Sequence, residues 1–262
     1  MPSKLVSWKY SLKRTLRYAL YVPYVRRFLT RRSSYILERA LGIPRRTFIS
    51  FVCEFRKDRV FTDALHARIT EGKKTEKHFG GFWDTIYLEA TYAIVRWLKP
   101  NRVVETGVGA GSSTAAILKA LHDNGGGLLW SIDLPGEDQR VYPRLNKIYH
   151  VHIPAGREPG WMIPDYLRDR WKLMIGPSQE KLPSLLQEIG PIDMFLHDSL
   201  HTDEHIHFEL EQAWAKLVCG GVLLCDDVME YWSLAFVDFC HERNIPYQIL
   251  HAKLGIAQKR EP

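Results

Sequence analysis

The sequence predicts an α/β protein built on a doubly wound, mostly parallel sheet. Three observations carry that expectation. From residue 102 onward short apolar segments alternate with helical stretches, a glycine-rich turn follows the first segment, and only a short turn separates the last two. A chain of 262 residues can bury a substantial core, and its 45% apolar and 25% charged residues are ordinary globular values.

The charge is unevenly placed. Residues 1–60 hold 15 Lys and Arg against 3 acids, whereas the remainder holds 21 against 27. The expected organisation is a basic helical N-terminal extension over 1–60, a linker helix and lid loop over 61–83, and the sheet domain over 84–262. No apolar run reaches the roughly 18 residues needed to span a bilayer, and no secretory signal opens the chain. The expected location is therefore cytoplasmic. Cys53, Cys219, Cys225 and Cys240 form no CxxC pair, and buried free thiols are expected.

Taken in order, residues 1–32 contain no acid. Leu5, Trp8, Leu12, Leu16 and Leu20 recur at helical spacing among Lys4, Lys9, Lys13, Arg14 and Arg17, which is a basic amphipathic pattern. Pro23 ends or kinks it, and a second basic helix runs from about Val25 to Leu41 before Gly42 and Pro44. Such an arm suits peripheral contact with the inner face of an anionic membrane, a cap docked on the catalytic domain, or an arm in a homo-oligomer. No base-reading motif accompanies it, so nucleic acid is not an expected partner. A helix and then a flexible loop, Gly72 to Gly81, follow; the loop is a candidate lid. A long helix is expected over Asp84–Leu98. Strands are expected at Arg102–Thr106, Leu128–Leu134, Lys172–Ile175, Ile192–His197, Gly221–Cys225, Tyr247–His251 and Leu254–Gln258. Helices are expected at Ser112–His122, Gln179–Leu186, Glu204–Leu217 and Trp232–Arg243.

The turn after the first strand reads ETGVGAGSS, Glu105 to Ser113. Glycines let backbone approach a ligand closely, and in such sheets the ligand crevice lies beyond the carboxyl ends of the strands. A dinucleotide site would place glycine where Ser112 stands. The E-x-G-x-G-x-G pattern instead resembles the first motif of class I S-adenosylmethionine-dependent methyltransferases. Asp133 ends the next strand, 22 residues after Gly111, where a carboxylate can accept both hydroxyls of a ribose. The resemblance implies a Rossmann-like sheet of order 3-2-1-4-5-7-6 with the last strand antiparallel. It also implies a donor site made by Glu105, Thr106, Gly107, Gly109, Gly111, Ser112, Ser113 and Asp133, with Ser178 near the adenine. Ser178 equally suits a helix cap.

Two further strand ends carry acids. FLHDSLH places Asp198 and His201 after one strand, and LLCDDV places Asp226 and Asp227 after the next. In a doubly wound sheet these ends are neighbours, and clustered carboxylates favour a cation between them. An oxygen-rich set suits Mg²⁺ or another hard divalent metal, with Asp198, Asp226 and Asp227 as ligands. His201, three residues after Asp198, is the candidate base for an acceptor hydroxyl, with Asp198 beside it in catalysis and in donor binding.

D-x-x-H followed by D-D resembles the metal-dependent sugar O-methyltransferases that act on macrolides, a group that includes cephalosporin hydroxylase-like proteins and rhamnosyl O-methyltransferases. Many relatives read D-G-D-H where this chain has Asp198, Ser199, Leu200 and His201. The resemblance implies O-methylation of a small-molecule acceptor such as a sugar or lipid-linked glycan. Two alternatives stand beside it: a hydroxylase-like enzyme with an iron bound by two histidines and one carboxylate, and a methyltransferase reaching nucleic acid through the basic arm. Residues 135–171 are expected to contain a crossover helix and a loop over the crevice, with Arg157, Trp161, Met162, Tyr166 and Arg168 as an acceptor wall.

Overall fold

Strands buried on both faces read as continuous apolar runs, and alternate side chains go to opposite sides. The computed structural model shows this directly. It describes residues 23–75, 85–134, 139–142, 147–150, 153, 157–228 and 233–261. Val103, Leu129, Met194, Leu196, Val222 and Leu224 face one layer of helices. Val104, Ile132, Phe195, Leu223 and Cys225 face the other.

The strands are β1 (Arg102–Thr106), β2 (Leu128–Asp133), β3 (Gln139–Tyr142), β4 (Lys147–His150), β5 (Trp171–Ile175), β6 (Ile192–His197), β7 (Leu217–Cys225), β8 (Tyr247–Leu250) and β9 (Leu254–Gln258). Seven form one sheet in the order β5-β2-β1-β6-β7-β9-β8. Only β9 runs antiparallel to its neighbours, and numbering these seven strands along the chain gives the expected order 3-2-1-4-5-7-6. Hydrogen bonds continue the ladder past the strand ends. Asp198 N–H donates to the Thr106 carbonyl and Asp226 N–H to that of His197, each at 2.8 Å, which lines up three strand mouths.

One helical layer holds α1 (Pro23–Leu41), α2 (Arg45–Lys57), α4 (Thr85–Leu98) and α5 (Ser112–Asn124), with α3 (Arg59–Thr75) following α2. The other holds α6 (Ser178–Ile189), α7 (Asp203–Lys216) and α8 (Ala235–Glu242). The N-terminal extension, from Ile36 on, is part of the core: Ile36, Leu37, Leu41, Ile43, Phe48, Val52 and Phe55 pack with Tyr92 and Ile94. Glu89 of α4 is buried between Arg26 and Arg56, at 2.6 and 2.7 Å, and so staples α1 and α2 to the sheet domain. Removing one partner of such a buried group is costly because a charge is left uncompensated.

Three expectations change. Among the described residues between β2 and β5 there is no α-helix; the crossover carries the β3–β4 hairpin and a 3-10 turn, Asp165–Arg170. Proline and glycine from Pro154 to Pro164 deny that stretch a helical repeat. Cys225 and Cys240 are buried as expected, but Cys53 and Cys219 are exposed. Gly72–Thr75, expected as the start of the flexible loop, instead end helix α3. The amphipathic stretch before Pro23 and the lid stretch beyond Thr75 lie outside the described residues. No described helix is long and apolar enough to cross a membrane.

Candidate active site

The glycine turn forms where β1 meets α5. Gly107, Gly109 and Gly111 all have positive φ, and a Cβ at Gly107 would lie 2.0 Å from the Asp198 carbonyl oxygen. The backbones of the first and fourth strand mouths therefore touch, which only glycine permits at this φ. On its outer side the turn is braced by 157–163. Gly160 N–H donates to Gly109 and Met162 N–H to Ala110. Trp161 and Met162 are buried against Ala110, and Tyr166 packs on His122 at the far end of α5. These residues buttress the turn, so the structure does not assemble them into an acceptor wall.

Asp133 closes the same turn from β2. One carboxylate oxygen accepts the N–H groups of Val108 and Gly109 at 3.0 and 2.7 Å, and the other accepts that of Leu134 at 2.8 Å. A carboxylate has about four acceptor positions, so one remains for a ligand hydroxyl beside the turn. Glu105 is fully buried and accepts from Ser113, Thr114 and Ser131, each at 2.8 Å. Burial pushes its pKa up to about 7 against those three bonds. Its bonds hold the start of α5 and tie it to β2. Ser112 opens α5 half-buried, and Ser113 is committed to Glu105.

Thr106 and Ser178 lead to a buried cluster that sequence reasoning did not assemble. The Glu209 carboxylate accepts from Thr106 Oγ1 at 2.5 Å, Ser199 Oγ at 2.9 Å, His197 Nδ1 at 2.6 Å and His205 Nε2 at 2.8 Å. Ser178 does not cap α6 with its side chain; its hydroxyl meets His205 Nε2 at 3.1 Å. Thr202 caps α7, accepting the His205 N–H, so His205 and Glu209, one turn apart, share its buried face. Burial works to raise the Glu209 pKa, but His197 and His205 outweigh it and hold the carboxyl below its usual range. His197 and His205 are buried parts of this network.

Beyond it lie the acids of the strand mouths. Donor atoms of Asp198, His201 and Asp226 lie within 4.8 Å of one another. Asp227 is turned aside, with φ +54, and its carboxylate pairs with Lys253 at 3.0 Å. Lys253 also meets Asp226 Oδ2 at 2.9 Å, whereas Asp226 Oδ1 is buried with no hydrogen-bond partner. Burial, with Asp227 alongside, pushes the Asp226 carboxyl up against the pull of Lys253. For Lys253 burial opposes the charge, but Asp226 and Asp227 hold the amine well above its usual value. Tyr87, at the start of α4, is buried with an unpartnered hydroxyl, and the Lys253 ammonium stands 5.3 Å from its ring centre.

Two carboxylates, one with an orphaned buried oxygen, fit a hard divalent cation, and the imidazole stands beside them. The close-packed glycine turn with Asp133 at its edge fits an adenosine-containing donor. Neither Tyr87 nor Lys253 was legible as a site residue. Glu209 had one signal, its position four residues after His205.

Residues 104–228 match a protein family described as a methyltransferase domain. No curated protein matches the chain significantly. Among solved structures it is similar to a methyltransferase of Podospora anserina bound to SAH, with TM-score 0.54 and 14% identity, over 76% of this chain and 88% of that one. It is also similar to the O-methyltransferase TomG of Streptomyces achromogenes, involved in tomaymycin synthesis and solved with SAM. That match has TM-score 0.52 and 15% identity, over 78% and 91%. An O-methyltransferase of Bacillus cereus in complex with SAH gives TM-score 0.50 and 14% identity, over 78% and 92%. The family match runs from the first strand of the sheet through the acids that end the fifth, and the sheet has the strand order of the class I methyltransferase fold.

Proposed function

We propose that the protein methylates a hydroxyl of a sugar, glycolipid or other small metabolite, with a divalent cation at Asp198 and Asp226 and with His201 as the base. The observation that carries this reading is the buried, unpartnered Asp226 Oδ1 converging with Asp198 and His201. When bound, S-adenosylmethionine supplies an electrophilic methyl group and the cation supplies a Lewis acid for the acceptor oxygen.

The chain's own residues do the rest. Asp133 and the turn Gly107–Gly111 hold the donor, and Glu105 holds the turn. Asp198 and Asp226 fix the cation, and His201 takes the proton that the acceptor hydroxyl loses. In this reading Ser178, whose hydroxyl meets His205, serves the adenine side. Asp227 serves the site through Lys253.

The iron-dependent hydroxylase alternative wants two histidines and one carboxylate, whereas this cluster has one histidine and two carboxylates. Support for a lipid-linked acceptor comes from the arm. Arg27, Phe28, Arg31, Arg32 and Arg39 lie exposed on α1, continuing the acid-free run of residues 1–32. Peripheral membrane contact there would bring the protein to such an acceptor. The test uses radiolabelled donor against a panel of glycosides and glycolipids. Transfer should stop on exhaustive chelation and return with Mg²⁺ or Mn²⁺; transfer that survives metal removal overturns the cation role. Flotation with anionic vesicles should separate full-length from N-terminally truncated protein.

A further inference from the structure

The corner after β7 is wrapped by the turn between β8 and β9. His251 and Ala252 both take left-handed φ, near 53° and 54°, which reverses the chain within three residues. Lys253 N–H donates to Leu250, and the Lys253 carbonyl accepts the N–H of Val228 at 2.8 Å, tying the turn to the residue after Asp227. Ser33 of α1 meets the His251 ring at 2.8 Å from the other side. The Lys253 ammonium is thus delivered onto the paired acids by backbone bonds on both flanks and does not depend on a flexible reach. It holds Asp226 Oδ2 and Asp227 Oδ1, and its side chain is only 25% exposed.

We infer that Lys253 is the resident cation that sets the composition and strength of the divalent site: it withholds Asp227 from the ligand set and leaves Asp226 one oxygen to offer. This rests on the reading of Asp198 and Asp226 as cation ligands. Two adjacent carboxylates beside Asp198 would otherwise make a more strongly attracting site. With one unit of positive charge already hydrogen-bonded to both, an incoming ion meets a partly neutralised site and repulsion from the ammonium. The ion is then weakly held in the donor- and acceptor-free protein.

The test is calorimetric titration of Mn²⁺ and Mg²⁺ into the full chain without donor or acceptor. Lys253→Met keeps an apolar stem over Tyr87 but removes the charge, and it should bind the ion at least about tenfold more tightly, as expected for losing a unit charge a few ångströms away. Lys253→Arg should retain weak binding, and Asp227→Asn combined with Lys253→Met should abolish the gain. Lys253→Gln repeats the measurement if the methionine variant does not fold, with circular dichroism as the check. A folded charge-removing variant with affinity equal to or below wild type overturns the inference while leaving the cation reading intact. If neither wild type nor any variant binds either ion, the cation reading falls and this inference with it.

Discussion

The Asp133 carboxylate accepts the backbone N–H of Gly109 at 2.7 Å, joining the acid at the end of β2 to the glycine turn after β1. Two parts of the candidate donor site that belong to different strands are therefore joined directly, preorganised before any ligand arrives.

Removing that carboxylate should weaken donor binding. Hydrogen bonds to a charged group contribute about 1.5–3 kcal/mol each, so Asp133→Ala should weaken S-adenosylmethionine binding by roughly a hundredfold in calorimetric titration. Asp133→Asn, which keeps one acceptor for the turn, should fall between the two. Unchanged affinity in the alanine variant would remove Asp133 from the donor site.

Gly107→Ala should unfold the strand mouths more readily than it alters chemistry. The φ of +82° and the 2.0 Å approach to the Asp198 carbonyl leave no room for a methyl group. Strain and overpacking together should lower stability by roughly 2–5 kcal/mol, read as a shift in denaturant midpoint. A midpoint equal to wild type would mean that the two turns do not touch in solution.

The two buried glutamates should show opposite pH dependence. Burial raises the Glu105 pKa to about 7, so between its unfolded value and pH 7 the native state holds more protons than the unfolded chain, and stability falls as pH rises. Glu105→Gln should flatten that decline. His197 and His205 depress Glu209, so its contribution is present above the ordinary carboxylate range and is lost as pH falls below it. Glu209→Gln should be destabilised near neutrality, with the gap to wild type narrowing toward acid pH. Thermal melts from pH 3 to 8 distinguish the two, and parallel profiles would refute the assignment.

His201→Ala should lower kcat by roughly 10²–10⁴-fold with donor affinity intact. A kcat equal to wild type would place the base elsewhere.

The sheet was legible in the chain because each buried strand is an apolar run bounded by turn signals, and because a glycine turn states its own backbone requirement. Arg102–Thr106, Ile192–His197 and Leu254–Gln258 have the bounds their sequence predicts. Asp198, His201 and Asp226 were legible for a related reason: a strand end is a defined place, and adjacent parallel strands put their ends side by side. Other features follow from the path of the whole chain. Glu209 reaches Thr106 from 103 residues away, and Lys253 reaches Asp226 from 27. Nothing local distinguishes either residue from a solvated helix or turn charge. Helix periodicity and turn chemistry are determined by near neighbours, so one sequence reports them. The partner of a buried charge depends on which distant elements pack together, and only the tertiary structure decided that Asp227 faces an ammonium while Asp226 keeps an oxygen for the crevice.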